Sequence, residues 1–145
     1  MKAINPTIFK TYDIRGIYPK ELDKRAAFLI GQVCARKFTA GTFILGYDIR
    51  LSSKQLLSSF LSGFSGESKK LGKKFKVQNI GLVTTPMFYF WVNKSKASGG
   101  AIATASHNPA QYGGLKIVGP KAKMVSGKEI EKFVNLESWI LNPNT

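Results

Sequence analysis

The sequence predicts an α/β fold, namely a three-layer α/β/α domain with a mixed, mainly parallel sheet. Apolar residues alternate along the chain between the 3.6-residue spacing of amphipathic helices and the short runs of buried strands. Strands that alternate with helices are typical of a parallel sheet covered on both faces. With 145 residues, of which 43% are hydrophobic, the chain is large enough to bury one core.

The first part of the chain indicates two amphipathic helices with one strand between them. The first helix follows Tyr18-Pro19 and ends near Phe38, and residues 43–45 form the strand. We expect Ser52 or Ser53 to cap the second helix and Gly66 to lie near its end. The apolar face of the first helix consists of Leu22, Ala26, Leu29, Ile30, Val33 and Cys34, and that of the second of Leu56, Leu57, Phe60, Leu61 and Phe64.

The alternation continues in the second part of the chain. Residues 80–83 form an apolar strand, and Thr84-Thr85-Pro86 then opens a short helix through Val92, because proline is favoured in the first helical turn. Within this helix the aromatic run 88–91 is interpreted as core packing. The small apolar residues 99–103 form the next strand, which ends at Thr104.

A return strand and one more helix complete the predicted elements. Only a tight turn containing Gly114 precedes the strand of residues 115–118, so we expect this strand to be antiparallel to its predecessor and the sheet to be mixed. The last helix has the capping-box pattern of Ser126 followed three residues later by Glu129. Its apolar face consists of Ile130 and Phe133, extended by Leu136 or Ile140.

The domain organisation is simple, because no internal boundary is evident. Residues 1–140 are predicted to form one domain, and residues 141–145 the start of a linker, since Asn142-Pro143-Asn144 is turn-like. The net charge of +14, from 22 basic and 8 acidic residues, destabilises a compact domain unless something negative lies nearby. We expect a domain cut from a longer protein, or a truncated product, with part of this charge attracting phosphate.

The densest basic run covers residues 69–76, and it leaves two interpretations. It lies between a helix and a strand, where lysines at the negative end of the helix dipole are an ordinary finding. Binding of polyanions such as nucleic acid is the alternative, but stacking aromatics are not interleaved with these lysines apart from Phe75, so nucleic acid is an unlikely partner.

The longest apolar stretch, residues 26–35, is too short to cross a bilayer, and the one cysteine, Cys34, is expected to fill core space. Without a secretory h-region, the expected compartment is the cytoplasm, with no membrane association.

The segment Thr104-Ala105-Ser106-His107-Asn108-Pro109 carries the chemistry, because it sets a hydroxyl beside the only imidazole at the end of a buried strand. Proline ends that strand, so Ser106 lies on a sharp loop at a carboxyl edge, where ligands of open α/β sheets bind. Adjacent residues on a strand point to opposite faces, so a hydrolase triad of Ser106 and His107 is not expected. On this segment alone, an ordinary polar turn is an equal alternative.

Three further segments favour a functional interpretation. Residues 9–16 hold an acidic and a basic residue before a glycine, residues 46–50 repeat that charge spacing after a strand, and residues 112–117 follow the loop that carries Ser106. Together with residues 104–109, and in this order, they resemble the first domain of the α-D-phosphohexomutases, most closely the phosphomannomutase/phosphoglucomutase branch. The resemblance covers most of the chain and implies the same three-layer α/β/α fold.

The resemblance implies that Ser106 is the catalytic phosphoryl carrier. In this family the matching serine passes its phosphoryl group to a phosphorylated hexose, recovers one from the bisphosphate intermediate, and ligates Mg²⁺ through its phosphate. The expected activity is interconversion of hexose 6-phosphate and hexose 1-phosphate, of mannose or glucose, with hexose 1,6-bisphosphate as activator. A phosphoserine brings nearly two negative charges, which Arg and Lys donors and Mg²⁺ offset.

The resemblance also assigns roles to the neighbours of that serine. Arg15, Lys116 and His107 match catalytic residues of the pocket, and Tyr12 and Asn108 match residues that bind substrate or phosphate. Simpler roles stay open for two of them. Arg15 could pair only with Asp13 or Asp48, and Tyr12 could pack under the loop.

Asp48, Arg50 and Gly113 belong to the same matching segments. Asp48 and Arg50 are interpreted as structural residues that hold a strand-to-helix turn together. Gly113 stands where the family has an asparagine, so a polar contact in that loop is expected to be missing.

Other family motifs are absent from this sequence. It has no Asp-Gly-Asp-type metal loop, no sugar-selecting Gly-Glu-x-Ser-Gly-His loop and no phosphate-clamping loop of the fourth domain. The remaining Mg²⁺ ligands and the sugar contacts are therefore expected from other domains of the same enzyme, and the chain alone is expected to be inactive or nearly so. The alternative function is a basic interaction module that kept the fold and binds polyanions.

Overall fold

The computed structural model describes the backbone of residues 3–141 and the side chains of residues 3–136. Within these residues the chain forms six strands, four α-helices and two short 3-10 turns, Pro6–Ile8 and Pro120–Ala122. In chain order the main elements are β1 (Ile14–Ile17), α1 (Lys24–Lys37), β2 (Gly41–Tyr47), α2 (Leu51–Lys70), β3 (Phe75–Leu82), α3 (Thr85–Lys94), β4 (Gly99–Ala103), β5 (Tyr112–Val118), β6 (Met124–Val125) and α4 (Gly127–Leu141).

The strands form one mixed sheet in the order β1-β5-β4-β2-β3, with β6 paired to β5. β2 pairs in parallel with β3 and β4, whereas β5 pairs antiparallel with β4, β1 and β6. The predicted mixed α/β/α sheet is thus confirmed. Antiparallel pairing is more prominent than the sequence suggested, because β5 pairs antiparallel with β1 and β6 as well as with β4, its predicted neighbour.

Two hydrophobic cores cover the two faces of the sheet. On one face Phe43 of β2 and Leu115 of β5 are buried against α1 and α2 together with Ile130 of α4. On the other face Ile44 and Ile102 are buried against α3 with Phe88 and Val92 of that helix. Alternate residues of β2 therefore point into different cores, and the sheet is the middle of three layers.

Helices α1 and α2 cross in close contact at two glycines. A Cβ atom on Gly31 would lie 2.1 Å from the carbonyl oxygen of Phe60, and one on Gly63 would lie 2.0 Å from that of Phe28. Backbones can approach this closely only where neither residue has a side chain. Near the end of this contact, buried Glu67 of α2 accepts a hydrogen bond from Arg36 Nε at 3.0 Å.

The predicted starts of α3 and α4 are confirmed. Thr84 is the N-cap of α3, and its Oγ1 accepts a hydrogen bond from Met87 N at 3.3 Å. At the start of α4, Ser126 Oγ accepts one from Glu129 N at 3.0 Å. These bonds satisfy amide groups that have no partner within the helix.

The predicted bounds of α2 are wrong at both ends. Its N-cap is Arg50, which makes no side-chain cap, and Ser53 lies inside the first turn with its Oγ donating to Asp48 Oδ1 at 2.5 Å. The helix also continues beyond Gly66 to Lys70, because apolar contacts on its buried face, such as that of Phe64, outweigh the intrinsic weakness of one exposed glycine.

Residues within the basic run, 69–76, and within the aromatic run, 88–91, differ in their contacts and burial. Lys73 Nζ donates to the carbonyl oxygens of Ala35, Arg36 and Phe38 at 2.8 to 3.0 Å, so this lysine stabilises the carboxyl end of α1. In the aromatic run of α3, Phe88 is buried, as predicted. The prediction is wrong for Phe90 and Trp91, which are 56% and 39% exposed, because a single helix turns only one face to the sheet.

Cys34 lies in the core, and α4 is the last helix of the described residues. Cys34 is buried among apolar side chains, and burial raises the pKa of its thiol far above the usual value, so its role as core filler is confirmed. The backbone of α4 continues to Leu141, so the helix includes the first residue of the predicted linker, 141–145. Residues 142–145 and the side chain of Ile140 lie outside the described residues. None of the helices in residues 3–141 combines the length and apolarity of a membrane span.

Candidate functional site

The site lies where the carboxyl ends of β2 and β4 meet. These strands are parallel neighbours, with Tyr47 paired to Ala103, so the segments that follow them leave the sheet side by side. Asp48 N donates to the carbonyl oxygen of Ala103 at 2.9 Å and joins the two segments at their base. The loop after β4, residues 104–111, is called the serine loop below. Its position at this edge agrees with the prediction from sequence.

Ser106 lies at the outer end of the serine loop in a left-handed conformation, with φ at 54°. Its side chain is exposed, and its amide donates to Thr104 Oγ1 at 3.1 Å. Asn108 closes the turn, since its backbone amide and its Nδ2 both donate to the carbonyl oxygen of Ala105, at 3.1 and 2.8 Å. A left-handed serine is unusual, so this loop needs strong support from its surroundings.

That support comes from Arg50. Its Nη2 donates to the carbonyl oxygens of Ser106 and Asn108 at 2.9 and 2.6 Å. Its Nη1 donates to those of Pro109 and Tyr112 at 2.7 and 3.2 Å. Sequence reasoning correctly placed Arg50 in the strand-to-helix turn but missed its reach to the serine loop. The sequence contains no signal for a contact between segments more than fifty residues apart.

Arg15 and Lys116 share the face of the sheet that α3 covers. In the register of β1, β4 and β5, Arg15 stands opposite Gly114 and Lys116 opposite Ile102, so the two cations are diagonal neighbours. The carbonyl of Gly114 accepts a hydrogen bond from Thr104 N at 3.0 Å, which places Arg15 one strand away from the base of the serine loop. Both predicted cations therefore lie beside this loop.

The partners of the two cations differ. Arg15 forms an ion pair with Asp13, the simpler role that the sequence left open, and its Nε is nevertheless buried without a hydrogen-bond partner. Lys116 Nζ lies 5.9 Å from the ring centroid of Tyr89, and no carboxylate pairs with it within residues 3–136. An unpaired ammonium and an unsatisfied guanidinium nitrogen are suited to an anion, because buried donors without acceptors cost free energy.

Tyr12 and His107 are both exposed. Tyr12 lies in the turn between the bridged residues Phe9 and Ile14, and with 66% of its surface exposed it does not pack under the serine loop. That alternative is wrong because the turn leaves the sheet before β1 begins. The His107 ring is exposed beside Ser106, and among the described residues no hydrogen bond joins the two side chains. Their roles in binding stay predictions.

The glycine pair at the start of β5 has a packing reason. A Cβ atom on Gly114 would lie 2.4 Å from the carbonyl oxygen of Thr104, so only glycine allows β5 to lie this close to the serine loop. A Cβ atom on Gly113 would lie 2.8 Å from Leu56 Cδ1. The space that a family asparagine would need is therefore closed by an apolar side chain of α2.

A cleft of about 620 Å³ lies between the serine loop and the first turn of α2. Ser106 and Asn108 form one wall, and the segment from Arg50 to Ser52 forms the other. At the rim, Ile49 and Leu51 are 86% and 95% exposed. Among the described residues no three His, Cys, Asp or Glu side chains are placed to hold a metal ion. The described residues therefore do not form a Mg²⁺ site without further ligands.

Comparison with known proteins agrees with the geometry. Residues 6–138 match the family model described as phosphoglucomutase/phosphomannomutase, alpha/beta/alpha domain I. Over 115 residues the chain is 40% identical to a phosphomannomutase of Methanocaldococcus jannaschii, an alignment that covers 79% of this chain and 24% of the relative. It is 39% identical to a phosphoglucomutase of Neisseria meningitidis serogroup B over 139 residues, which cover 94% of this chain and 29% of the relative.

A solved structure shows the same fold. A phosphoglucomutase/phosphomannomutase family protein from Burkholderia thailandensis superposes with a TM-score of 0.77 at 26% identity, and covers 97% of this chain and 31% of the solved chain. The first curated relatives are matched over only about a quarter of their length, 25% in the case of the phosphohexose mutases of Xanthomonas campestris pv. campestris. This chain therefore corresponds to one domain of those longer proteins.

Proposed function

Because this chain belongs to the phosphoglucomutase/phosphomannomutase family as its α/β/α domain I, we propose that it is the phosphoserine-bearing domain of a phosphohexomutase. The enzyme would interconvert hexose 6-phosphate and hexose 1-phosphate, of mannose or glucose, through a bisphosphate intermediate. One observation carries the proposal. Ser106 is exposed and left-handed at the carboxyl edge of the sheet, on a loop whose carbonyl oxygens are bound by a guanidinium group.

Ser106 Oγ would hold the phosphoryl group that the reaction exchanges. In the forward step the bond between phosphorus and this oxygen breaks while a hydroxyl oxygen of the hexose monophosphate bonds to phosphorus. The proton of the attacking hydroxyl group ends on Ser106 Oγ, so that the serine regains its O–H. The same step, run in reverse with the other phosphate of the bisphosphate, restores phosphoserine. Such transfers need positioning and charge stabilisation more than covalent chemistry.

Arg15 and Lys116 would supply that charge stabilisation. A phosphoserine carries about −1.5 to −2 charges at neutral pH, and both cations lie on the sheet face beside the serine loop. The unpartnered Arg15 Nε and the unpaired Lys116 Nζ are donors without protein acceptors among the described residues. Charge-assisted hydrogen bonds of this kind are the strong ones, and they stabilise the transferring group most where its charge is spread.

Three further residues would contact phosphate or substrate. His107 is exposed next to Ser106 and can donate a hydrogen bond to a phosphate oxygen. Asn108 uses its Nδ2 within the loop, so its contribution would be to fix the turn and to offer its second amide proton. Tyr12 is exposed in the turn that precedes β1. It would contact the substrate only if the bound sugar extends to that turn.

Mg²⁺, a hexose 1,6-bisphosphate activator and the remaining domains belong to the same proposal. Since the described residues provide no cluster of metal ligands, Mg²⁺ would depend on the phosphoserine oxygens and on ligands from the rest of the enzyme. When bound, it would offset the negative charge of the phosphate. The cytoplasmic location also stays a prediction.

Intact-mass measurement tests the proposed carrier in the complete enzyme, in which this domain is joined to the domains that would bind the sugar and Mg²⁺, after incubation with hexose 1,6-bisphosphate and Mg²⁺. We expect one added phosphate group, mapped to the peptide that contains Ser106 and removed by phosphatase. Ser106→Ala should abolish it, whereas Ser58→Ala, which removes an exposed hydroxyl on α2, should leave it unchanged. Labelling that persists in Ser106→Ala, or that maps to another residue, would contradict the assignment.

A further inference from the structure

Arg50 has a part in the reaction that its position in the sequence did not indicate. We infer that Arg50 is a positioning residue, which acts through the backbone of the serine loop to fix the place of Ser106 Oγ. This inference deepens the proposed function and rests on it. Arg50 would not touch substrate or phosphate, since its Nη atoms are engaged with loop carbonyls.

The charge of Arg50 holds four backbone carbonyl groups together. Three carbonyl oxygens of the serine loop, and that of Tyr112 at the start of β5, converge on its guanidinium at distances of 2.6 to 3.2 Å. Carbonyl dipoles that point at one another repel, so this arrangement needs a cation at its centre. The planar guanidinium has five donors in a fixed fork, and here four contacts reach these carbonyls while Nε faces Asp48. A lysine ammonium has three donors and no fork, so it cannot reproduce the arrangement.

Arg50 is itself held in place by Asp48. The Arg50 side chain is only 13% exposed, and its Nε lies 3.4 Å from Asp48 Oδ2. Asp48 Oδ1 in turn accepts hydrogen bonds from Arg50 N at 3.0 Å and from Ser53 Oγ at 2.5 Å. Through these bonds Arg50 is fixed to the junction of β2 and α2. The serine loop is thus held by a regular part of the fold and not by its own turns alone.

The backbone conformation of Ser106 depends on its contact with Arg50. Its carbonyl is turned toward Arg50, its amide toward Thr104 Oγ1, and its side chain toward solvent. This combination requires the left-handed backbone, which a serine adopts only under constraint. Without Arg50 the carbonyl would lose its partner, and the residue would relax to ordinary backbone angles. The direction of Oγ relative to Arg15 and Lys116 would then change.

Amide hydrogen exchange tests the hold on the loop. In Arg50→Ala and in Arg50→Lys, the amides of Ser106 and Asn108 in the loop, and of Tyr112 directly after it, should exchange about tenfold faster or more, since several charge-assisted hydrogen bonds are lost. The amide of Ala97, bonded to Val92 O far from the loop, should keep its rate and show that the variants are folded. Lys54→Ala, which removes an exposed cation one helical turn further along α2, is the control and should leave the loop amides unchanged.

Phosphorus NMR tests whether the hold positions the phosphate. With phosphoserine incorporated at position 106, the second pKa of its phosphate reports the cations beside it. In Arg50→Ala and Arg50→Lys this pKa should move toward that of phosphoserine at position 62, which is exposed on α2. In Lys54→Ala the pKa at position 106 should not move. The Arg50→Lys variant separates geometry from charge, because it keeps the charge and loses the fork.

Each outcome decides the inference. Faster loop exchange together with a moved phosphate pKa in both Arg50 variants supports it. Unchanged loop exchange overturns it, and so does faster exchange with an unmoved phosphate pKa, because Arg50 would then be purely structural. If phosphoserine at position 106 already titrates like that at position 62 in the otherwise unaltered chain, the proposed phosphate site fails. The exchange rates then still show whether Arg50 fixes the loop.

Discussion

Gly63→Ala is expected to destabilise the domain by about 2 to 3 kcal/mol, although it adds a single methyl group. The new Cβ would lie 2.0 Å from the backbone carbonyl oxygen of Phe28, so α1 and α2 would have to separate. Separation opens the core that supports β2, including the rings of Phe60 and Phe64. Backbone cannot move aside as the end of a flexible side chain can, and the cost is therefore expected in the upper part of the range for overpacking.

Gly66→Ala on the same helix is the matched control for this effect. A Cβ atom on Gly66 would meet nothing within 4 Å, so the substitution should stabilise the domain by as much as about 1 kcal/mol through helix propensity. Urea denaturation of both variants measures the difference. Equal stabilities of Gly63→Ala and Gly66→Ala would show that the two helices do not cross at this glycine.

Phe43→Ala is expected to cost about 3 to 5 kcal/mol of unfolding free energy, because it removes the central ring of an aromatic cluster. The ring centroid of Phe43 lies 4.4 Å from that of Phe64, 5.4 Å from that of Phe38, and 6.2 Å from that of Phe75. The side chain is fully buried between the sheet and α2. Loss of this ring should also loosen β2, the strand that leads to Arg50.

Phe90→Ala provides the comparison for Phe43→Ala. Phe90 is 56% exposed on α3, so its removal should change stability by less than about 0.5 kcal/mol. Thermal unfolding of the two variants, followed by circular dichroism, distinguishes them. Similar losses for a buried and an exposed phenylalanine would mean that the core is not organised around Phe43.

Local signals in the sequence were sufficient for most elements. The cap at Thr84 and the capping serine at Ser126 act within one turn of helix, so their residue types alone predict where α3 and α4 begin. The position of Ser106 followed from an apolar run that ends before Asn108-Pro109, since strand and breaker are adjacent in the chain. Such features depend on neighbours in sequence, and they are therefore readable without the fold.

Features that depend on distant segments were not predictable in this way. The serines at the start of α2 looked like caps, but Ser53 bonds to Asp48, whose position is set by β2. Arg50 binds carbonyls of a loop more than fifty residues away, and only the parallel pairing of β2 with β4 brings the two together. The share of antiparallel pairing likewise follows from β5, which joins three strands from different parts of the chain.

The proposed function requires that the serine loop, with Arg15 and Lys116, form a site for phosphate on Ser106. Phosphorus NMR titration of the chain with phosphoserine at position 106 measures this, with phosphoserine at position 62, exposed on α2 and without a lysine or arginine within four positions along the helix, as reference. Two nearby cations should lower the second pKa at position 106 by about one pH unit or more, and Arg15→Ala with Lys116→Ala should return it to the reference. Identical titrations at positions 106 and 62 would show that the two cations do not act on this phosphate.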